Sequence, residues 1–271
     1  DLSEDADRLA RATLSALDVV VARARVPITP PSWVPTPANR RLAAAVSELD
    51  GAVRRMLRAR GPITEPRDML DLLIAARDES GAGLTPAEVR NQVVTFIVAG
   101  HETVASALTW SWALLAAHPD VQRDLQDEAD AVLGGRPATI ADYARLPFTR
   151  AVFDEALRMY PPAWLITRQS LEADVLGGAD IPPRALIILS PWLLHRHPAL
   201  WREPEAFRPH RFLDNEVDRT AFIPFGSGLR QCIGRDFAYV EGTLMLASVA
   251  SRWSVAYPEG CTIPRAEPQV T

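Results

Sequence analysis

Apolar positions in the first quarter of the chain recur at helical spacing and are interrupted by prolines. Residues 1–24 carry that periodicity and predict a helix. Pro27, Pro30, Pro31, Pro35 and Pro37 then form a connector. No helix interior tolerates such a run, because proline lacks the N–H and clashes with the preceding turn. Trp33 is the expected anchor of the connector. Residues 39–60 predict an amphipathic helix with Leu42, Val46, Leu49, Val53 and Leu57 on one stripe, and residues 68–76 a short one. The longest helix should start at Thr85, an N-cap completed by Pro86 and Glu88, and meets no breaker before His118-Pro119. It is apolar on several faces through residues 93–98 and should cross an interior. Two more helices are predicted, over 120–133, stopped by Gly134-Gly135, and over 148–160, stopped by Pro161-Pro162.

Beyond Pro162 the pattern changes. Residues 164–168, 174–176 and 185–189 read as short strands, with Gly177-Gly178 as a turn. Residues 191–224 are rich in proline and charge and show little periodicity, which points to a packed functional loop. Residues 232–252 read as the last long helix. The expected class is therefore mainly α with small β-sheets.

Composition narrows the function classes. With 271 residues and 48% hydrophobic content, the chain can bury one large core or two smaller ones. A net charge of −5 disfavours nucleic acid and anionic membranes as general partners. All 29 basic residues are arginine. Two cysteines, Cys232 and Cys261, make no disulfide framework and suit a reducing cytoplasm. Nothing reads as a signal peptide, and no apolar run is expected to span a membrane.

Chemistry concentrates at residues 225–234, Phe-Gly-Ser-Gly-Leu-Arg-Gln-Cys-Ile-Gly. Gly226, Gly228 and Gly234 free the backbone to turn and to approach a flat ligand. Cys232 stands just before a helical run, whose N-terminus offers unpaired N–H groups and partial positive charge. Both favour a thiolate, and Arg230 adds a fixed charge. A buried free cysteine beside a glycine turn is the plain alternative. On the helix before Pro161, Glu155 and Arg158 share a face, as an ordinary surface ion pair also would. Gly100, inside the longest helix, is costly unless a local distortion opens the hydrogen-bond ladder beside Glu102 and Thr103. A merely tolerated glycine is the alternative. His195 and His197 lack metal-ligand geometry and read as structural.

The match to Phe-x-x-Gly-x-Arg-x-Cys-x-Gly, together with Ala-Gly-x-Glu-Thr at 99–103, Glu-x-x-Arg at 155–158 and Pro-x-Arg-Phe at 209–212, resembles the cytochrome P-450 superfamily, of bacterial type. The resemblance implies the C-terminal two-thirds of that fold, with its long central helix over the haem. Residues 1–271 would be a single catalytic domain, with the family's N-terminal part and extreme C-terminus outside it. It implies haem b (iron protoporphyrin IX) as cofactor, with Cys232 as iron ligand, Phe225 packed against the thiolate side, and Arg230 and Arg168 on the propionates. A surface strand arginine is the alternative for Arg168. Gly100, Glu102 and Thr103 would serve proton delivery during dioxygen activation. Glu155, Arg158 and Arg211 would form a buried network. Phe96, Ile97, Val98 and Ala99, with residues 163–166, would line the distal pocket, with plain core as the alternative for these apolar helix positions. The implied activity is hydroxylation or epoxidation of a hydrophobic small molecule, with electrons from a ferredoxin or flavodoxin-type donor. A peroxide-using or isomerising haem-thiolate enzyme, or an inactive haem-binding fragment, is the other reading. Arg184 stands where many relatives have glycine in a turn, and His210 where an acidic residue is usual.

Overall fold

The computed structural model describes residues 6–24, 26, 28–60, 65–214 and 216–267. Residues 1–5 of the first predicted helix, and Pro27, lie outside these. The chain divides into two compact units, one up to His101 and one over Glu102–Glu267.

The first unit holds helices α1 (Ala6–Ala24), α2 (Pro37–Arg58), α3 (Met69–Ala75) and the beginning of α4 (Pro86–Ala117). Thr36 caps α2 by accepting the Asn39 N–H at 3.1 Å, so the helix starts at Pro37, two residues before the predicted start. Its buried face is Ala45, Leu49, Ala52 and Val53, while Val46 is exposed. The expected stripe is thus turned towards the alanines. Close packing of helices accepts small side chains at the contact ridge, and Ala52 and Leu49 meet Leu9 and Ala12 of α1 there. Ile97 and Val98 pack against this same cluster, so these two expected pocket-wall residues belong to a core. Trp33 is 81% exposed and anchors nothing. The proline connector is held instead by Asn39, whose Nδ2 donates to the carbonyls of Pro31 at 2.7 Å and Val34 at 2.6 Å.

Helix α4 opens with a capping box. Thr85 N–H donates to Glu88 Oε2 at 2.8 Å and Glu88 N–H to Thr85 Oγ1 at 3.3 Å. The helix is α throughout its 32 residues, so the distortion expected at Gly100 is not there. Helix α4 is long and apolar enough to cross a membrane by length and composition alone, where no such run was expected. Core helices of water-soluble proteins pass the same test.

The second unit contains the rest of α4, with α5 (Pro119–Leu133), α6 (Pro147–Met159), α7 (Pro191–Leu194) and α8 (Arg235–Ala250). Gly134, at φ 56°, ends α5 in the left-handed region as its sequence predicts. Two small antiparallel sheets complete the class. Strand β1 (Ile166–Gln169) pairs with β4 (Leu186–Leu189), and β2 (Asp174–Leu176) pairs with β3 (Ala179–Ile181) across the Gly177-Gly178 turn. The core is built from α6, whose residues from Phe148 to Met159 are buried except for Arg150, against α5 and α8. A cluster from the irregular stretch joins it: Trp201, Phe207, Phe212 and Phe222 are all buried. That stretch is packed, as its composition suggests. Gly242 lets α8 lie on α6, since a Cβ there would stand 2.6 Å from Phe153 Cζ.

Candidate functional site

The cysteine loop is defined by its own backbone. Gly226 and Gly228 take φ 70° and 71°, conformations that L side chains resist. The Gly226 N–H donates to the Ile223 carbonyl at 3.0 Å and the Cys232 N–H to the Phe225 carbonyl at 2.9 Å. The loop closes on itself and presents Cys232 as an exposed free thiol. Helix α8 begins only at Arg235, after Gly234. The sequence pattern extended that helix back to Cys232; the structure puts the cysteine in the loop, with the first helical N–H groups just beyond it. Gly234 lies beside the sulfur: a Cβ there would stand in ordinary contact, 3.8 Å from Cys232 Sγ. Leu229, Ile233 and Phe237, the apolar neighbours along the chain, are all exposed. Arg230 is exposed too. Phe225 turns inward and packs on the Tyr239 ring, centroids 5.2 Å apart.

Behind this loop lies a charged core. Glu155 and Arg158, both with no exposed side-chain surface, pair bidentately, with Arg158 Nε to Oε2 at 2.7 Å and Nη2 to Oε1 at 2.9 Å. Arg211 Nε joins Glu155 Oε1 at 3.2 Å. The remaining guanidinium donors go to main-chain carbonyls. Arg158 donates to His195, Pro204 and Ala206, and Arg211 to Arg202, Glu203 and Ala206. These carbonyls come from the stretch without helix or strand pairing, whose backbone groups need partners once buried. The two arginines therefore do for the meandering backbone what a ladder does for a sheet. The network expected for Glu155, Arg158 and Arg211 is present, and it is buried, unlike a surface ion pair.

Sequence reasoning gave His195 only a general structural role. It is fully buried, and both ring nitrogens are engaged. Nδ1 lies 3.3 Å from the Arg158 carbonyl and Nε2 accepts the Ile223 N–H at 3.0 Å. A carbonyl only accepts and an amide only donates, so the ring is the neutral Nδ1–H tautomer. Burial pushes its pKa from 6.5 down to about 4, helped by the Arg158 and Arg196 charges. A second buried pair also escaped the sequence: Tyr239 Oη donates to Asp154 Oδ1 at 2.7 Å. The available signal was an acidic residue, Asp154, on an otherwise buried helix face.

The other predicted positions are distributed as follows. Arg168 is half-buried on β1 and donates to the Thr167 carbonyl at 2.8 Å. Two residues earlier on the same strand face, the Ile166 side chain lies 3.7 Å from where a Cβ of Gly226 would be. The strand carrying Arg168 is thus in contact with the cysteine loop. Glu102 is half-buried and Thr103 exposed on α4. Gly100 falls in the first unit, and a Cβ added there would touch nothing within 4 Å. A pocket of about 340 Å³ is lined by Leu200, Trp201, Arg202, Arg211 and Glu216, so it borders the arginine network and includes none of the loop residues.

Comparison with known proteins decides the family. The Cytochrome P450 family model matches residues 3–270. The chain belongs to the cytochrome P450 family. Cyclooctatin synthase of Streptomyces melanosporofaciens is 43% identical over 244 residues, 88% of this chain and 53% of that protein. Cyclooctat-9-en-7-ol 5-monooxygenase of the same organism is 40% identical over 91% of this chain and 55% of that protein. Pentalenene oxygenase of Streptomyces avermitilis is 40% identical over 82% of this chain and 50% of that protein. The chain spans about half the length of these curated relatives.

A P450 implies haem, and the residues present fit it. The donor is a thiol, the soft ligand that haem iron takes in this family. It stands exposed on a glycine-built loop, with apolar side chains exposed beside it and an exposed arginine two residues away. Gly226 and Gly228 give that loop its left-handed turns.

Proposed function

We propose that this P450 chain is the haem-binding part of a monooxygenase that hydroxylates or epoxidises an apolar small molecule. The observation that carries the reading is Cys232, an exposed thiol fixed by the Phe225 carbonyl within a left-handed glycine loop at the entrance to α8. Cys232 Sγ would hold the iron of haem b. The guanidinium groups of Arg230 and Arg168 would bind the propionates, each as a charge-assisted hydrogen-bond donor. Haem, when bound, supplies the iron at which dioxygen is activated. Phe225 and Tyr239 limit water on the inner side of the loop. Thr103 Oγ1 would hold a proton for delivery and the Glu102 carboxylate would replenish it. The Glu155–Arg158–Arg211 network holds the meander and takes no proton.

The substrate class is read from chemistry and relatives together. Two relatives are named for pentalenene and cyclooctat-9-en-7-ol, and a hydrocarbon-like molecule of that kind suits this chain. Electrons would come from a ferredoxin or flavodoxin-type protein, and the free cysteines suit the cytoplasm.

The test is the carbon monoxide difference spectrum of the reduced, haem-supplied full-length protein, alongside Cys232→Ala. A red-shifted Soret band that vanishes in the variant supports the assignment. A band that survives Cys232→Ala, or never forms in the wild type, overturns it.

A further inference from the structure

A continuous set of hydrogen bonds joins the buried arginine network to the cysteine. The Arg158 guanidinium holds the His195 carbonyl at 2.9 Å, and the His195 ring donates from Nδ1 to the Arg158 carbonyl at 3.3 Å. Main chain and side chain of His195 are thus both fixed by one residue. The opposite ring nitrogen takes the Ile223 N–H at 3.0 Å. Ile223 then accepts the Gly226 N–H with its carbonyl at 3.0 Å, and Phe225 accepts the Cys232 N–H at 2.9 Å. Without the imidazole, the Ile223 N–H, partly buried at the entrance to the loop, would lose its partner.

Two aromatic rings flank the imidazole. Trp201 and Phe222 stand 5.9 and 5.3 Å away, centroid to centroid. The nearby ionisable groups are the cations Arg158 and Arg196, which add to burial in keeping the ring neutral. A neutral imidazole with one donor and one acceptor nitrogen is the one protonation form that satisfies both partners at once.

We propose that His195 is a positioning residue for the Cys232 thiolate: its Nε2 pins Ile223 and so sets the loop whose Phe225 carbonyl fixes the Cys232 amide. This rests on the reading of Cys232 as the iron ligand. Loss of the Nε2 acceptor loosens the loop and lets the thiolate protonate or leave the iron. Filling the space without that acceptor does not restore it.

The experiment compares His195→Gln with His195→Asn in the full-length, haem-loaded protein. The glutamine carbonyl reaches the Nε2 position and can accept from Ile223. The asparagine amide reaches only the Nδ1 position and can serve Arg158 alone. Both variants should lose thermal stability. Only His195→Asn should shift the carbon monoxide Soret band from the thiolate to the thiol position and raise the reduction potential. Equal spectra and potentials in the two variants overturn the proposal. Hydrogen exchange on the wild type decides the matter if His195→Asn fails to accumulate. Ile223 and Cys232 amides that open together support the link, whereas Cys232 opening under a protected Ile223 overturns it. A wild type without the red-shifted band defeats the haem-thiolate reading, and amide exchange still reports on the link.

Discussion

The phenol of Tyr239 on α8 donates a 2.7 Å hydrogen bond to Oδ1 of Asp154 on α6, and both residues are buried. Arg150 sits over the same ring, its Cζ 4.9 Å from the centroid. Burial pushes the Asp154 pKa up to about 6 and outweighs the hydrogen bond from Tyr239. Because Phe225 leans on this ring, the pair supports the inner wall of the cysteine loop.

The two buried titrating groups have opposite pH dependence. Asp154 has a folded pKa above its ordinary 3.8, so its contribution to stability is full below that value and lost as pH rises through about 6. His195 has a folded pKa below its ordinary 6.5, so its contribution is full above that value and lost as pH falls towards about 4. Each is worth on the order of 3 kcal/mol across its window, and between pH 4 and 6 they offset one another. Asp154→Asn should remove one and uncover the other: its stability should fall on acidification below pH 6.5 more steeply than the wild type's. Melting temperatures of the two proteins at half-unit pH steps test this. Parallel curves would show that Asp154 does not titrate in this range.

Glu155→Ala should be severe. It leaves Arg158 and Arg211 buried without their carboxylate, a loss of about 3–5 kcal/mol for one partner of a buried pair. Glu155→Gln keeps the volume and part of the hydrogen bonding and should cost less. Urea unfolding midpoints rank the three proteins. An alanine variant as stable as the wild type would mean the arginines find other partners.

Two glycines on helices should respond oppositely. Gly242→Ala drives a methyl to 2.6 Å from Phe153 Cζ, and overpacking of this kind costs about 1–3 kcal/mol. Gly100→Ala meets nothing within 4 Å and should gain about 1 kcal/mol from helix propensity. If Gly100→Ala is stabilised and keeps haem but turns over more slowly, the glycine serves the chemistry. If turnover is unchanged, it is a tolerated residue.

Arg184 takes φ 64°, where a side chain is strained. Arg184→Gly should raise stability by about 1 kcal/mol, less the entropy that a new glycine adds to the unfolded chain. A lower melting temperature would mean that the arginine side chain contributes more than its backbone costs.

Thr103→Ala in the full-length protein should keep haem and divert reducing equivalents into hydrogen peroxide. Product formed per electron consumed is the quantity to compare. An unchanged ratio removes Thr103 from the proton route.

Local signals settled much of this protein from its sequence. The capping box of Thr85 and Glu88, the left-handed Gly134 and the proline breaks at Pro119 and Pro161-Pro162 act within one turn of a helix end, so these boundaries could be read without knowing the neighbours. The glycines at 226 and 228, with Cys232 and Arg230, sit close enough in the chain to be recognised as one loop. Other features depended on partners far away in sequence. Which face of α2 is buried turned on the alanines that α1 accepts. The start of α8 at Arg235 turned on the Phe225 carbonyl holding the Cys232 amide outside the helix. Arg158 and Arg211 were legible as charges, but the carbonyls that they satisfy belong to a meander with no periodicity. The Ile223 amide on His195 and the Asp154 carboxyl under Tyr239 exist only because folding brings distant segments together and removes water, which turns ordinary polar side chains into obligatory partners.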